Sequence, residues 1–322
     1  MNKVIGPHSR IYVAGHRGMV GSALVRRLRA AGYANLITRT RQELDLTDQA
    51  AVHRFMEQAG PEYVFLAAAK VGGILANDTY RGEFIYQNLI IAANVIHAAM
   101  RCGVKRLLFL GSSCIYPRDC PQPIREEYLL TGPFERTNEP YGVAKVAGVK
   151  LCEAFNAQYG TQYVSVMPTN LYGPNDNFDL NTSHALPALL RKAHMAKQSG
   201  AGAVVVWGSG KPRRDFLYVD DLADACILLM KKGVVRGIYN VGTGSDLTVR
   251  EIAENVMRAT GFEGRLIFDG SKPDGTLRKV LDISRMSELG WRPRHSLEDG
   301  IRLTYQWCLD HGVFNDAEVG YR

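Results

Sequence analysis

No stretch of this 322-residue chain is long and apolar enough to span a bilayer, which takes roughly 18 consecutive apolar residues. No membrane partner is therefore expected. Residues Met1 to Arg10 hold no apolar core of the kind a secretory signal needs, so a cytoplasmic location is the expectation. Cysteines are few: Cys102, Cys114, Cys120, Cys152, Cys226 and Cys308. None stands in a Cys-x-x-Cys pair or a zinc-like Cys/His spacing, so no metal site is expected and the thiols read as free. Low-complexity segments and internal repeats are absent. Charge is not concentrated either: the 39 basic residues exceed the 32 acidic ones by seven, but they are spread along the chain. That distribution gives no nucleic-acid footprint.

What is present is an ordinary globular composition, 46% hydrophobic, in a chain of a size for two domains or one large one. The first half alternates short apolar strands (11–15, 35–39, 62–67, 105–111, 163–168) with amphipathic helices (18–31, 47–59, 84–102, 139–159). This alternation predicts an α/β fold with a doubly wound parallel sheet of the Rossmann type. After about residue 171 the pattern loosens. Helices are expected near 184–198, 219–232, 248–260 and 296–310, and strands at 204–207, 238–241 and 265–268. The expected division is a dinucleotide-binding domain of residues 1–171 plus 218–242. A smaller α/β substrate domain takes residues 172–217 plus 243–322.

The strand Ile11-Tyr12-Val13-Ala14 runs into Gly15-His16-Arg17-Gly18-Met19-Val20-Gly21 and then a helix. Three glycines spaced by three, between strand and helix, let backbone approach a pyrophosphate at a helix N-terminus. The second strand ends Thr38-Arg39-Thr40-Arg41, with arginines where an NAD-preferring site carries an acid. A guanidinium fork suits a 2′-phosphate, and Arg17 adds a third cation, which favours NADP(H). Read alone, Arg39 and Arg41 also fit solvated loop charges. Glu43 and Asp45 are the counter-argument, with Asp45 placed to meet the adenine or to cap the next helix.

Tyr141 and Lys145 stand four apart at the start of a helix, hence on one face. A lysine there can lower the phenol pKa, so that Tyr141 acts near neutrality. Ser112, just after the fourth strand, lies where it can hydrogen-bond a reacting oxygen. With these three residues and the glycine loop, the chain resembles an extended short-chain dehydrogenase/reductase. By that resemblance Tyr141 protonates the reduced oxygen, Lys145 holds the nicotinamide ribose and Ser112 orients the carbonyl.

Segments 14–22, 70–74, 111–117, 138–141, 167–174, 206–210 and 271–276 sharpen the match. In order along nearly the whole chain, they resemble the GDP-L-fucose synthase family, GDP-4-keto-6-deoxy-D-mannose 3,5-epimerase/4-reductases. The resemblance implies that Cys114 is the base and His184 the acid of two epimerisations. It implies cofactor contacts from Gly15, Arg17, Gly18, Met19, Val20, Gly21, Arg39, Arg41, Leu46, Leu110, Gly111, Lys145, Pro168, Asn170, Leu171 and His184. Substrate contacts are implied for Asn170, Lys192, Trp207, Arg214, Asp274 and Lys279, and a homodimer is implied for the assembly. Lys192 stands where some family members carry Arg, which keeps the charge and loses the bidentate fork. Read from the residues alone, Cys114 also fits a buried thiol, His184 a capping residue and Trp207 a core indole. Two other readings accompany this one. An NAD-dependent nucleotide-sugar epimerase or dehydratase would recycle its cofactor, and a non-enzymatic NADP-binding regulator would lose the Tyr/Lys pair.

Overall fold

The computed structural model describes residues 4–180, 182–272 and 274–315. Pro273, within the 271–276 segment, and parts of both termini lie outside the described residues. The frame is a six-stranded parallel sheet in the order β10-β5-β4-β3-β1-β2. It comprises β1 (Ile11–Ala14), β2 (Leu36–Ile37), β3 (Tyr63–Leu66), β4 (Arg106–Leu110), β5 (Tyr163–Pro168) and β10 (Gly237–Val241). β1, β3, β4 and β5 are buried along their length, as strands covered on both faces must be. The chain leaves β1 for β2 on one side and crosses to β3 on the other. The order therefore reverses beside β1, and ligands of such sheets bind at that carboxyl edge.

Helices α1 (Met19–Ala30) and α7 (Val219–Lys231) cover one face. The other is covered by α2 (Gln49–Ala59), α4 (Arg81–Arg101) and α5 (Glu139–Tyr159), with the short α3 (Ile74–Thr79) leading into α4. A third apolar cluster lies beyond the sheet, under α6 (Ala185–Ser199), α8 (Val249–Thr260) and α10 (Leu297–Asp310). There β7 (Ala203–Trp207) pairs with β12 (Arg265–Asp269). Six short elements show no periodic pattern in the sequence. β6 (Asn170–Tyr172) pairs with β9 (Phe216–Tyr218). β8 (Arg213–Arg214) lies between β11 (Leu247–Thr248) and β13 (Arg278–Lys279), and α9 (Ser284–Glu288) follows. Two or three residues carry too little alternation to read as a strand.

The local signals explain most boundaries. The Thr248 hydroxyl and the Glu251 carboxylate close a reciprocal capping box on α8, which satisfies two otherwise orphaned donors. α2 is capped by Asp48, whose carboxylate accepts from the Ala51 amide at 2.9 Å. Of the two alternatives for Asp45, capping this helix is excluded. Asp45 lies a turn too early and binds the amide and hydroxyl of Thr47 instead.

Candidate active site

The glycine turn is built for close approach. Gly15 has a φ of +82°, and a Cβ there would stand 2.8 Å from the Ala68 backbone. A Cβ on Gly21 would lie 2.0 Å from the Gly15 carbonyl oxygen. α1 can therefore begin directly against the end of β1 only because both side chains are missing. Gly18 caps α1 without a side-chain hydrogen bond, and no acid occupies the first turn. The helix thus presents its positive end to the cleft. Met19 and Val20 turn partly into the core behind it.

Arg17, Arg39 and Arg41 are all exposed around this turn. Arg39 donates to the Thr38 carbonyl and lies 5.3 Å from the centre of the Phe55 ring. The Glu43 carboxylate accepts from the Thr40 amide at 2.6 Å and lies close enough to Arg39 and Arg17 for their charges to lower its pKa. Leu46 and Leu171 are half-buried, and Leu110 and Pro168 buried, along the carboxyl edge of the sheet. Gly111 donates its amide to the Val166 carbonyl and so continues the β4–β5 ladder past the strand end. This glycine cradle, with cations at one end, fits a phosphorylated dinucleotide.

Past β4, Ser112 caps a short 3₁₀ turn, Ser113–Ile115, and its hydroxyl accepts from the Cys114 amide at 3.1 Å. The same hydroxyl is the hydrogen-bond partner of the Tyr141 phenol. Gly142 lets the start of α5 pack against this turn, since a Cβ there would be 3.0 Å from the Cys114 carbonyl oxygen. Lys145, one helical turn below Tyr141, is only 4% exposed. Its ammonium donates to the Leu110 carbonyl at 2.6 Å and lies 5.7 Å from the Tyr141 ring centre and 5.0 Å from that of Phe109. No carboxylate pairs with it among the described residues. Burial brings its pKa down to about 7.

The expectation that Lys145 lowers the Tyr141 pKa is corrected here. Burial raises the phenol well above its ordinary value, the nearby Cys114 adds to this, and only the Ser112 hydrogen bond opposes it. Desolvation dominates, and the Lys145 ammonium is itself held close to neutrality. The phenol is thereby kept in its proton-donating form.

Cys114 and His184 come from elements 70 residues apart in sequence, and Lys279 links them. The Lys279 ammonium lies 3.6 Å from Cys114 Sγ. His184 stands exposed at the N-cap position of α6, without a side-chain capping hydrogen bond. Its pKa is lowered first by desolvation and then by the Lys279 charge. Beside Cys114 lies a cavity of about 50 Å³ bounded by Ser113, Glu135, Asn138, Thr276 and Lys279.

Strand pairing explains how Lys279 reaches the thiol. β8 and β13 run parallel with Arg213 opposite Arg278 and Arg214 opposite Lys279. Successive residues of a strand face opposite ways. On one face the buried Asp246 carboxylate clamps Arg213 at 2.7 Å and Arg278 at 2.5 Å. On the other, Arg214 and Lys279 are left for the cleft.

Arg214 is held by the Arg213 and Asp274 carbonyls. The Asp274 carboxylate is itself occupied by the Ser209 amide and hydroxyl. Lys192 donates to the Val205 carbonyl, and both Lys192 and Lys272 stand 5.4 Å from the Trp207 ring centre. Trp207 is 54% exposed, so the core-indole alternative does not describe it. The Asn170 side chain donates to the Asp215 carbonyl.

Sequence reasoning passed over Asp215. Its fully buried carboxylate accepts from the amide and hydroxyl of Thr243, its own amide donates to the Lys279 carbonyl, and burial raises its pKa to about 6. It ties β5, β10 and β13 together behind the site. The one available signal was an acid between two site strands, adjacent to Arg214.

Known proteins match this chain along nearly its whole length. The profile of the NAD dependent epimerase/dehydratase family matches residues 11–242. GDP-L-fucose synthase 1 of Arabidopsis thaliana is 56% identical over 301 residues, 94% of this chain and 93% of that protein. GDP-L-fucose synthase of Escherichia coli (strain K12) is 54% identical over 311 residues, covering 94% and 97%. A crystal structure of a GDP-L-fucose synthetase from Naegleria fowleri bound to NADP superposes with a TM-score of 0.87 at 27% identity, covering 97% of each chain.

Proposed function

The chain belongs to the NAD dependent epimerase/dehydratase family and, within it, to the GDP-L-fucose synthases, and we propose that it converts GDP-4-keto-6-deoxy-D-mannose to GDP-L-fucose by NADPH-dependent 3,5-epimerisation and 4-reduction. The observation that carries this reading is the meeting of two proton-handling sets in one cleft. Ser112, Tyr141 and Lys145 form one, and Cys114, Lys279 and His184 form the other.

A ketone at C4 acidifies the protons on C3 and C5, so one site can serve both carbons. Cys114 is the base, and the Lys279 ammonium stands 3.6 Å from its sulfur. His184 returns a proton to the opposite face. Its imidazolium, disfavoured by desolvation and by the Lys279 charge, gives that proton up readily. NADPH, when bound, supplies the hydride for C4. Tyr141, held protonated by its buried position, then delivers a proton to the C4 oxygen while Ser112 orients it. Gly15, Gly18 and Gly21 would admit the pyrophosphate. Arg17, Arg39 and Arg41 would meet the 2′-phosphate.

On the substrate side Arg214 and Lys192 would pair with the diphosphate, and the exposed Trp207 ring is a platform for the nucleotide. We read residues 1–171 plus 218–242 as the cofactor unit and 172–217 plus 243–322 as the substrate unit. α4 and α5 support a homodimer. Tyr86 (63% exposed), Ile90 and Ala93 on one helix and Val143, Ala147 and Ala154 on the other leave an apolar outer face, of the kind a second copy covers. The six cysteines are free thiols, which suits a reducing cytoplasm.

The test is NADPH oxidation with GDP-4-keto-6-deoxy-D-mannose, with the product identified by NMR. GDP-L-fucose is expected. A product reduced at C4 but unchanged at C3 and C5 would remove the epimerase half.

A further inference from the structure

Segment 70–74, Lys-Val-Gly-Gly-Ile, takes no part in the chemistry set out above. It nevertheless crosses from β3 to the loop that carries His184. The Gly73 amide donates to the Thr182 carbonyl at 2.8 Å. A Cβ on Gly73 would stand 2.5 Å from the Ser183 carbonyl oxygen and 3.2 Å from that of Thr182. These backbone atoms belong to the two residues just before His184, and they tolerate no side chain at this position.

Both sides of the contact are stiff. On one, the buried Asn77 amide donates to the Gly72 and Gly73 carbonyls at 2.7 and 3.0 Å, and the buried Asn88 both accepts from and donates to the Lys70 backbone. On the other, the Asp179 carboxylate accepts from the Thr182 amide and hydroxyl, and the Asp179 carbonyl accepts from the Ser183 amide. The strap also rests on Phe84: a Cβ on Gly72 would be 3.3 Å from that ring. The Phe84 ring meets Tyr141 edge-on at 6.4 Å. The strap thus spans the interval between the two proton-handling sets.

The geometry points to Gly73 as a positioning residue for His184: its bare backbone sets how far the α6 cap stands from the cleft. This role rests on the reading of His184 as the acid of epimerisation. It makes the two chemistries separable at a residue outside both proton-handling sets. A side chain at position 73 pushes the 182–183 backbone outward and takes His184 with it, while Ser112, Tyr141 and Lys145, held by β4 and α5, stay in place.

The test compares two rates in Gly73→Ala. One is deuterium uptake at C3 and C5 of GDP-4-keto-6-deoxy-D-mannose in heavy water, with NADP⁺ bound. The other is oxidation of GDP-L-fucose by NADP⁺, which needs only the C4 chemistry. The kcat for uptake is expected to fall about 100-fold, the cost of roughly 1 Å of misplacement. Its KM and the C4 oxidation rate are expected to stay within about threefold of wild type. Unchanged uptake, or equal loss of both rates in a folded protein, overturns the proposal. Should Gly73→Ala fail to fold, Asn77→Ala loosens the same strap without intruding on it. A selective fall in uptake there supports the role, and unchanged uptake or equal loss of both rates refutes it. Absence of uptake in the wild type would instead overturn the reaction itself, and the role with it.

Discussion

Replacing Lys145 with Met is expected to make the cofactor-free protein more stable while abolishing reduction. The ammonium is buried, has no carboxylate partner among the described residues, and is held by one carbonyl and two ring faces. Its pKa falls from 10.5 to about 7. That interval, at ~1.4 kcal/mol per pH unit, is about 5 kcal/mol of folding free energy lost by burying the group. Met removes this penalty but leaves the Leu110 carbonyl without its donor, which costs about 1–3 kcal/mol. The net gain is about 2–4 kcal/mol. Its pH dependence follows from proton counting. Between about pH 7 and 10.5 the unfolded chain holds a proton on Lys145 that the folded chain does not, so wild-type stability rises with pH through this window. The advantage of the variant is therefore full below about pH 7 and gone towards pH 10.5. Differential scanning fluorimetry of the cofactor-free proteins at pH 6.5 and 9.5 reads this directly. The variant should melt several degrees higher at pH 6.5, at ~2 °C per kcal/mol, and no higher at pH 9.5. A variant that melts lower at both values refutes the reasoning, because the ammonium would then be stabilising where it stands.

Other substitutions divide the cleft. Cys114→Ser should cut deuterium uptake at C3 and C5 by about 100-fold or more, with NADPH affinity by fluorescence titration unchanged; normal uptake removes Cys114 as the base. Gly21→Ala forces a Cβ to within 2.0 Å of the Gly15 carbonyl oxygen. It should weaken NADPH binding at least about tenfold and destabilise the fold by about 1–3 kcal/mol, and wild-type affinity would contradict the cradle. Arg214→Ala should raise KM for the GDP-sugar by about 10- to 100-fold, the worth of charge-assisted hydrogen bonds, with kcat little changed. A fall in kcat at constant KM would instead place Arg214 in the chemical step.

The parts of this molecule legible in its sequence are those whose signal is local. The glycine spacing at Gly15, Gly18 and Gly21 works through one turn between β1 and α1, and Tyr141 and Lys145 share a helix face by spacing alone. What was not legible depends on distant contacts. Lys279 reaches the Cys114 sulfur across 165 residues of chain, through two-residue strands too short to show a period. Spacing alone suggests that Lys145 acidifies the Tyr141 phenol, but burial, a property of the packed core, raises its pKa. Asp48 and Asp45 differ by three residues, and only backbone geometry decides which of them caps α2. Asp215 and Gly73 act on backbone atoms of other segments, so nothing in their own neighbourhood announces them. The roles of Cys114 and His184 rest on family resemblance; the residues alone leave both open.

The central claim is that one cleft runs two chemistries with separable residues. It is tested most directly by incubating Tyr141→Phe and wild type with GDP-4-keto-6-deoxy-D-mannose and NADPH in heavy water, and measuring deuterium at C3 and C5 beside NADPH oxidation. The account predicts that wild type shows both, while Tyr141→Phe takes up deuterium at both carbons with almost no oxidation. Loss of uptake together with oxidation in a folded Tyr141→Phe protein would contradict it.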